Sequence, residues 1–172
     1  MEQPVLLKVS GLTKSFGAVQ ALRGAEFELR AGEIHALAGE NGAGKSTLMN
    51  IVDGILKPDS GEIRLDGKPV VIPSPRAAQD MGIGFVHQEI ALCPDISVSE
   101  NIFMSVTNSS KSRLMNYRDL DRRAAKIIAR LGDIDPTTLV GELSISQQQL
   151  VEIAKALTLD CRILIFDEPT AA

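Results

Sequence analysis

Between an apolar run, Ile34 to Ala38, and a helical pattern that begins near Lys45 lies the stretch GENGAGKST, Gly39 to Thr47. Each glycine costs a helix about 1 kcal/mol against alanine. Three of them in nine residues therefore make sense only where the backbone must curl closely around something. The spacing is G-x-x-x-x-G-K-[ST], which gains its meaning from a strand before it and a helix after it. Without Cβ atoms, successive N–H groups can surround a phosphate. The positive end of the following helix faces the same anion. Gly39, Glu40, Asn41, Gly42, Ala43 and Gly44 would form the cradle. Lys45 would reach the β- and γ-phosphates of a nucleotide, Ser46 would ligate Mg²⁺, and Thr47 would hydrogen-bond a phosphate.

The rest of the chain supplies a setting for such a loop. VLLKVSGLTKSFG reads as a strand and turn, and AEFELRAGEIHALAG as alternation passing into a continuous apolar strand at Ile34–Ala38. Continuous apolar runs suit a sheet buried on both faces. KSTLMNIVDGIL has apolar residues at helical spacing. Asp66-Gly67 is a hairpin signal, and Ser74-Pro75 an N-cap followed by proline at the first helical position. Ser97–Glu100 and Ser144–Gln147 have capping-box spacing, and each opens a helix. Between them, NYRDLDRRAAKIIARLG is an amphipathic helix ending at Gly132. GIGFVHQ and RILIF read as short buried strands. Strands interleaved with helices predict an α/β domain with a mainly parallel sheet, interrupted by an inserted helical portion.

A second group of functional residues follows the last strand. ILIFDEP aims Asp167 and Glu168 at a strand terminus, the edge where ligands bind in parallel sheets. Asp167 would hold Mg²⁺ directly or through water, and Glu168 would act as general base on the attacking water. Gln88 ends GIGFVHQ and offers a carbonyl to Mg²⁺ and to that water, although an amide there is equally compatible with a plain surface role.

The formal charge of −4 over 172 residues argues against a nucleic-acid partner. Cys93 and Cys161 stand far apart with no CxxC, which reads as thiols in a reducing compartment. MEQPVLLKVSG lacks a signal-peptide pattern, and no window approaches the ~18 apolar residues that span a bilayer. The expectation is a soluble, cytoplasmic chain whose membrane role, if any, comes through a partner.

With Phe16 in KSFGAVQAL, the phosphate loop, Gln88, LSISQ and FDEP in this order, the chain resembles the ATP-binding subunit of an ABC transporter. PSPRAAQDMGIGFVHQE and GELSISQQQLVEIAKAL look most like the bacterial importers of ribose, galactose or xylose. The resemblance implies a P-loop NTPase, RecA-like core with an N-terminal antiparallel β portion. It places the β portion and core at 1–96, a helical subdomain at 97–160 and the strand with the Asp-Glu pair at 161–172. It implies ATP and Mg²⁺ as cofactors, Phe16 stacked on adenine, and Gln88 linking the γ-phosphate to the membrane partner. The segment after Gln88, EIALCPDISVSENIF, would meet that partner. Two such domains would pack head to tail, so that Ser144, Ser146 and Gln147 of one face the nucleotide of the other. The further partners implied are membrane permease subunits and, indirectly, a periplasmic sugar-binding protein. The place implied is the cytoplasmic face of the inner membrane.

Two departures qualify the resemblance. The family motif L-S-G-G-Q reads L-S-I-S-Q here, with Ile145 and Ser146 at both glycines. A side chain at the second glycine crowds phosphate and is expected to weaken that half-site. The chain also stops just after DEPTAA, before the family's switch histidine and further strands, so it reads as C-terminally incomplete and poor at hydrolysis alone. His35 and His87 precede Asp167 and Glu168 and read as structural, His35 within a strand. The alternatives to sugar import are a non-catalytic nucleotide-binding fragment and an ABC-type ATPase for another substrate class. DNA-repair ATPases need long coiled coils, and no sustained heptads occur between Gln88 and Leu143. A P-loop kinase would not need LSISQ.

Overall fold

A computed structural model describes residues 3–86, 91–107, 116–159 and 161–167. Gln88 and Glu168 therefore lie outside the described residues, as does His87. The chain forms two compact units, Met1–Ile83 and Gly84–Ala172.

The first unit is built on an antiparallel sheet. β1 (Val5–Phe16) pairs with β2 (Val19–Arg30) on one side and β3 (Ser60–Leu65) on the other, and β3 pairs with β4 (Lys68–Val70). Leu7 and Val9 are buried two residues apart, as a pleat demands. The next buried residue is Leu12, three on, because the register shifts between Val9 and Leu12. That irregularity restores the inward phase, which is what a bulge does. The β3–β4 hairpin closes as expected over Asp66 (φ 49°) and Gly67 (φ 74°), both in the left-handed region that a type I′ turn requires.

α1 (Lys45–Val52) buries Leu48, Ile51 and Val52, which share one helical face. α2 (Pro75–Asp80) begins at Ser74, whose Oγ accepts from the Ala77 N–H at 3.3 Å. The predicted strand Ile34–Ala38 is absent. After the turn at Ala31–Gly32, residues 33–40 carry no strand pairing, and Ile34 is fully exposed. A strand exists only through its ladder, and no ladder among the described residues reaches this segment. Its apolar composition is therefore not enough to make it extended sheet. His35 is accordingly not a strand residue: its Nδ1 lies 3.1 Å from Glu33 Oε1, and its ring meets Phe27 edge-on at 4.7 Å.

In the second unit, β5 (Ile83–Val86, begun at the boundary) pairs with β6 (Ile163–Phe166). The helical portion follows its predicted order: α3 (Val98–Thr107), α4 (Tyr117–Ile128), a single 3-10 turn (Val140–Glu142) and α5 (Ile145–Leu157). α4 stops at Ile128, and Gly132 donates its amide back to the Ile128 carbonyl at 2.9 Å, so the predicted end at Gly132 closes the following turn. The predicted capping box at Ser97 is formed, since Glu100 Oε2 accepts from the Ser97 N–H at 2.9 Å and Ser97 Oγ accepts from the Glu100 N–H at 3.3 Å. Val98, Ile102, Phe103, Leu120, Ala124, Ile128, Val151 and Ala154 form one buried cluster among the three helices. Ser99 is fully buried, and its Oγ donates to Asp121 Oδ1 at 2.6 Å, fastening α3 to α4. Burying a residue this polar is tolerable only when it is paired.

Candidate nucleotide site

The glycine loop ends at Gly44, which is the N-cap of α1 with φ 90° and ψ 4°. Left-handed backbone suits glycine, and here space demands it too. A Cβ at Gly44 would sit 2.6 Å from the Ala21 carbonyl oxygen and 2.8 Å from Leu22 Cδ2, both on β2. The first turn of α1 is thus seated directly on the antiparallel sheet. Gly42 is also left-handed, at φ 86°, but a Cβ there would meet nothing within 4 Å.

No side chain caps α1. Its first N–H groups are therefore left to another acceptor, which is the condition for anion binding at a helix start. The positive charge is already gathered there: Lys45 Nζ donates to the Gly39 carbonyl at 2.6 Å and the Glu40 carbonyl at 3.0 Å. The Ala43 N–H donates to the Glu40 carbonyl at 3.1 Å, so the loop is a closed turn around its own lysine. Asn41, Gly42, Ala43 and Ser46 are exposed, while Lys45 and Thr47 are half-buried.

Phe16 stands at the end of β1, opposite Val19 of β2, and is 48% exposed. Lys14 Nζ lies 5.8 Å from its ring centroid. The neighbouring strand of this aromatic is the one that seats Gly44. In the other unit, Asp167 follows β6 directly, and its N–H donates to the Val86 carbonyl at 3.0 Å.

Ser144 is the N-cap of α5 and completes the predicted capping box. Its Oγ accepts from the Gln147 N–H at 3.3 Å, and Gln147 Oε1 accepts from the Ser144 N–H at 3.0 Å. Ile145 and Ser146 are exposed in the first turn. Sequence reasoning did not single out Gln148, whose Nε2 donates to the Val140 carbonyl at 3.3 Å and the Leu143 carbonyl at 3.1 Å. That amide fixes the turn leading into Ser144. The run of three glutamines, Gln147 to Gln149, was its only signal.

Cys93 and Cys161 are both thiols. Among the described residues, no group of three or more His, Cys, Asp or Glu side chains could hold a metal ion, and no helix is long and apolar enough to cross a membrane.

A glycine loop wrapped on its lysine and opening an uncapped helix, seated on an antiparallel sheet, defines a domain of the P-loop nucleotide-binding class. The chain belongs to the ABC transporter family, whose model matches residues 22–171. It is 73% identical over its full 172 residues to the ribose import ATP-binding protein RbsA of Ruegeria sp. (strain TM1040) and spans 34% of that protein's length. Among solved structures it is similar to MJ1267, an ATP-binding cassette of an ABC transporter in its ADP conformation. The TM-score is 0.83 at 26% identity, covering 98% of this chain and 70% of that one. It is also similar to the dimeric ATP-binding cassette MJ0796, bound to ADP and Pi in a post-hydrolysis state. There the TM-score is 0.76 at 27% identity, covering 97% and 75%. The chain spans about a third of the length of the relatives it matches.

Proposed function

We propose that the chain binds and hydrolyses ATP to energise import of a monosaccharide through a membrane ABC transporter. The observation that carries the reading is the uncapped start of α1 with Lys45 drawn across the loop before it. The ribose import relative supports a pentose or a similar sugar as cargo.

The residues fit the nucleotide. The free N–H groups at the start of α1 suit phosphate oxygens. Lys45 exchanges two neutral carbonyl partners for anionic oxygens, a stronger class of hydrogen bond. Ser46 and Thr47 present hydroxyls in the same turn, and Phe16 offers an exposed ring for adenine. Ser46 and Asp167 are the described residues that would hold Mg²⁺, which would supply charge neutralisation at the phosphates. A magnesium ion held by a carboxylate, a hydroxyl and phosphates needs no multi-carboxylate cage. Gln88 would orient the attacking water and Glu168 would take its proton.

The working unit is proposed as two such domains packed head to tail, and the MJ0796 neighbour, itself dimeric, supports a dimer. Ser144, Ser146 and Gln147 of one domain would face the nucleotide of the other. Membrane permease subunits, a periplasmic sugar-binding protein reached through them, and a peripheral place on the cytoplasmic membrane face complete the proposal. So does a division at residues 1–96, 97–160 and 161–172.

Thermal unfolding in a Mg-ATP titration tests it. A ligand bound only to the folded state stabilises by RT ln(1 + [L]/Kd), about 2.7 kcal/mol at a hundredfold excess. A saturating rise in Tm that Lys45→Ala abolishes is expected. No rise, or an equal rise in the variant, would overturn the reading.

A further inference from the structure

The segment that begins three residues after Gln88 is held to α5 through both backbone polar groups of Ala91. The Ala91 N–H donates to Glu152 Oε1 at 2.9 Å, and Lys155 Nζ donates to the Ala91 carbonyl at 3.1 Å. The two side chains, three residues apart on one face of α5, also lie 3.7 Å from each other and are only 15% and 22% exposed. A carboxylate accepts, an ammonium donates, and together they satisfy both backbone polar groups of one residue while neutralising each other. A half-buried pair of ions is tolerable on that condition.

The same segment is stitched onward. Asn101, 1% exposed, accepts from the Cys93 N–H at 2.8 Å and donates to the Cys93 carbonyl at 3.0 Å. The Gly141 N–H donates to the Pro94 carbonyl at 2.9 Å, and the Val140 N–H to the Ile96 carbonyl at 3.2 Å. Val140 in turn is tied by Gln148 to the turn entering Ser144. Residues 91–96 and the start of α5 are thus bonded at both ends into one piece.

We propose that Glu152 and Lys155 are positioning residues of the hydrolytic reaction. By gripping Ala91 they lock the segment leaving Gln88 to the helix whose first turn carries Ser144 and Ser146. A displacement of that segment is then delivered to the helix N-terminus instead of being lost in a slack backbone. The inference rests on the ATPase reading above.

The test uses the full-length protein assembled with its membrane partners. Glu152→Ala and Lys155→Met should each lower kcat about tenfold, the loss expected from one charge-assisted bond. The Kd for Mg-ATP should not change, because the glycine loop is untouched. Glu152→Gln keeps an acceptor and Lys155→Arg a donor, and both should recover most of the wild-type kcat. Hydrogen exchange should show faster exchange at the Ala91 amide in Glu152→Ala and not in Glu152→Gln. Wild-type kcat in the Ala and Met variants, no recovery in the conservative ones, or unchanged exchange at Ala91 would each overturn the proposal. A wild-type protein without ATPase activity would instead remove the proposed function, and the exchange measurement alone would then decide whether the grip exists.

Discussion

Gly44→Ala is the sharpest test of how the loop is built. Two independent penalties apply. An alanine held at φ 90° is strained by about 1–2 kcal/mol. Its Cβ would also lie 2.6 Å from the Ala21 carbonyl oxygen and 2.8 Å from Leu22 Cδ2. The first neighbour is backbone within a paired strand and cannot step aside, so overpacking adds about 1–3 kcal/mol. The expected loss is about 2–5 kcal/mol. Gly42→Ala is the internal control: its φ is 86°, but its Cβ would enter open space. It should cost the strain alone, about 1–2 kcal/mol. Urea unfolding followed by far-UV circular dichroism measures both. In the same samples Gly44→Ala should weaken Mg-ATP binding, because α1 can no longer seat its first turn on β2. Equal losses for the two variants would refute the argument that the Ala21 contact, beyond left-handed backbone, makes residue 44 a glycine.

Three further outcomes are expected. Ser144→Ala removes the acceptor of the Gln147 N–H and should cost about 1 kcal/mol, a fall in Tm of about 2–4 °C; an unchanged midpoint would mean the cap contributes nothing. Ser146→Gly should raise ATPase turnover of the complete transporter if its side chain crowds the partner's phosphate, and no change would sink that idea. Asp59 is held below its usual pKa of 3.8 by the Lys14 ammonium first and then by the Ser15 N–H. Glu33, Asp119 and Asp135 are likewise held low by the Arg30 N–H, the Arg122 guanidinium and the Thr137 N–H respectively. A depressed folded pKa contributes stability that is complete above the unfolded value and lost as pH falls through the folded one. Tm should therefore fall below about pH 4, and Asp59→Asn should make that decline shallower while lowering Tm near neutral pH. A decline of undiminished slope in the variant would show that Asp59 is not among its causes.

Much of the local structure was legible because its signals are short-range. A capping box is decided by residues three apart, and Ser97, Ser144 and Ser74 all cap as their spacing predicts. The Asp66-Gly67 turn needed only two residues that accept positive φ. The strand Ile34–Ala38 failed for the opposite reason. Apolar composition says that a segment prefers burial, whereas a strand needs a hydrogen-bonding neighbour, and no described ladder reaches it. Phe16 shows the limit from another side. By its type alone it reads as a core or turn residue, and the structure leaves it 48% exposed at the end of β1.

The sequence by itself determined the chemistry proposed for the glycine loop, since glycine spacing, a lysine and two hydroxyls constrain what nine residues can bind. It also determined where α2, α3 and α5 begin, because capping by Ser74, Ser97 and Ser144 is short-range. Tertiary structure alone decided that residue 44 must lack a side chain for want of space, since Ala21 lies more than twenty residues away along the chain and meets it only through folding. The grip of Glu152 and Lys155 on Ala91 was equally invisible, for it joins groups about sixty residues apart. Backbone acceptors and donors carry no sequence signature, so no pattern of side chains could have announced which residue they would hold.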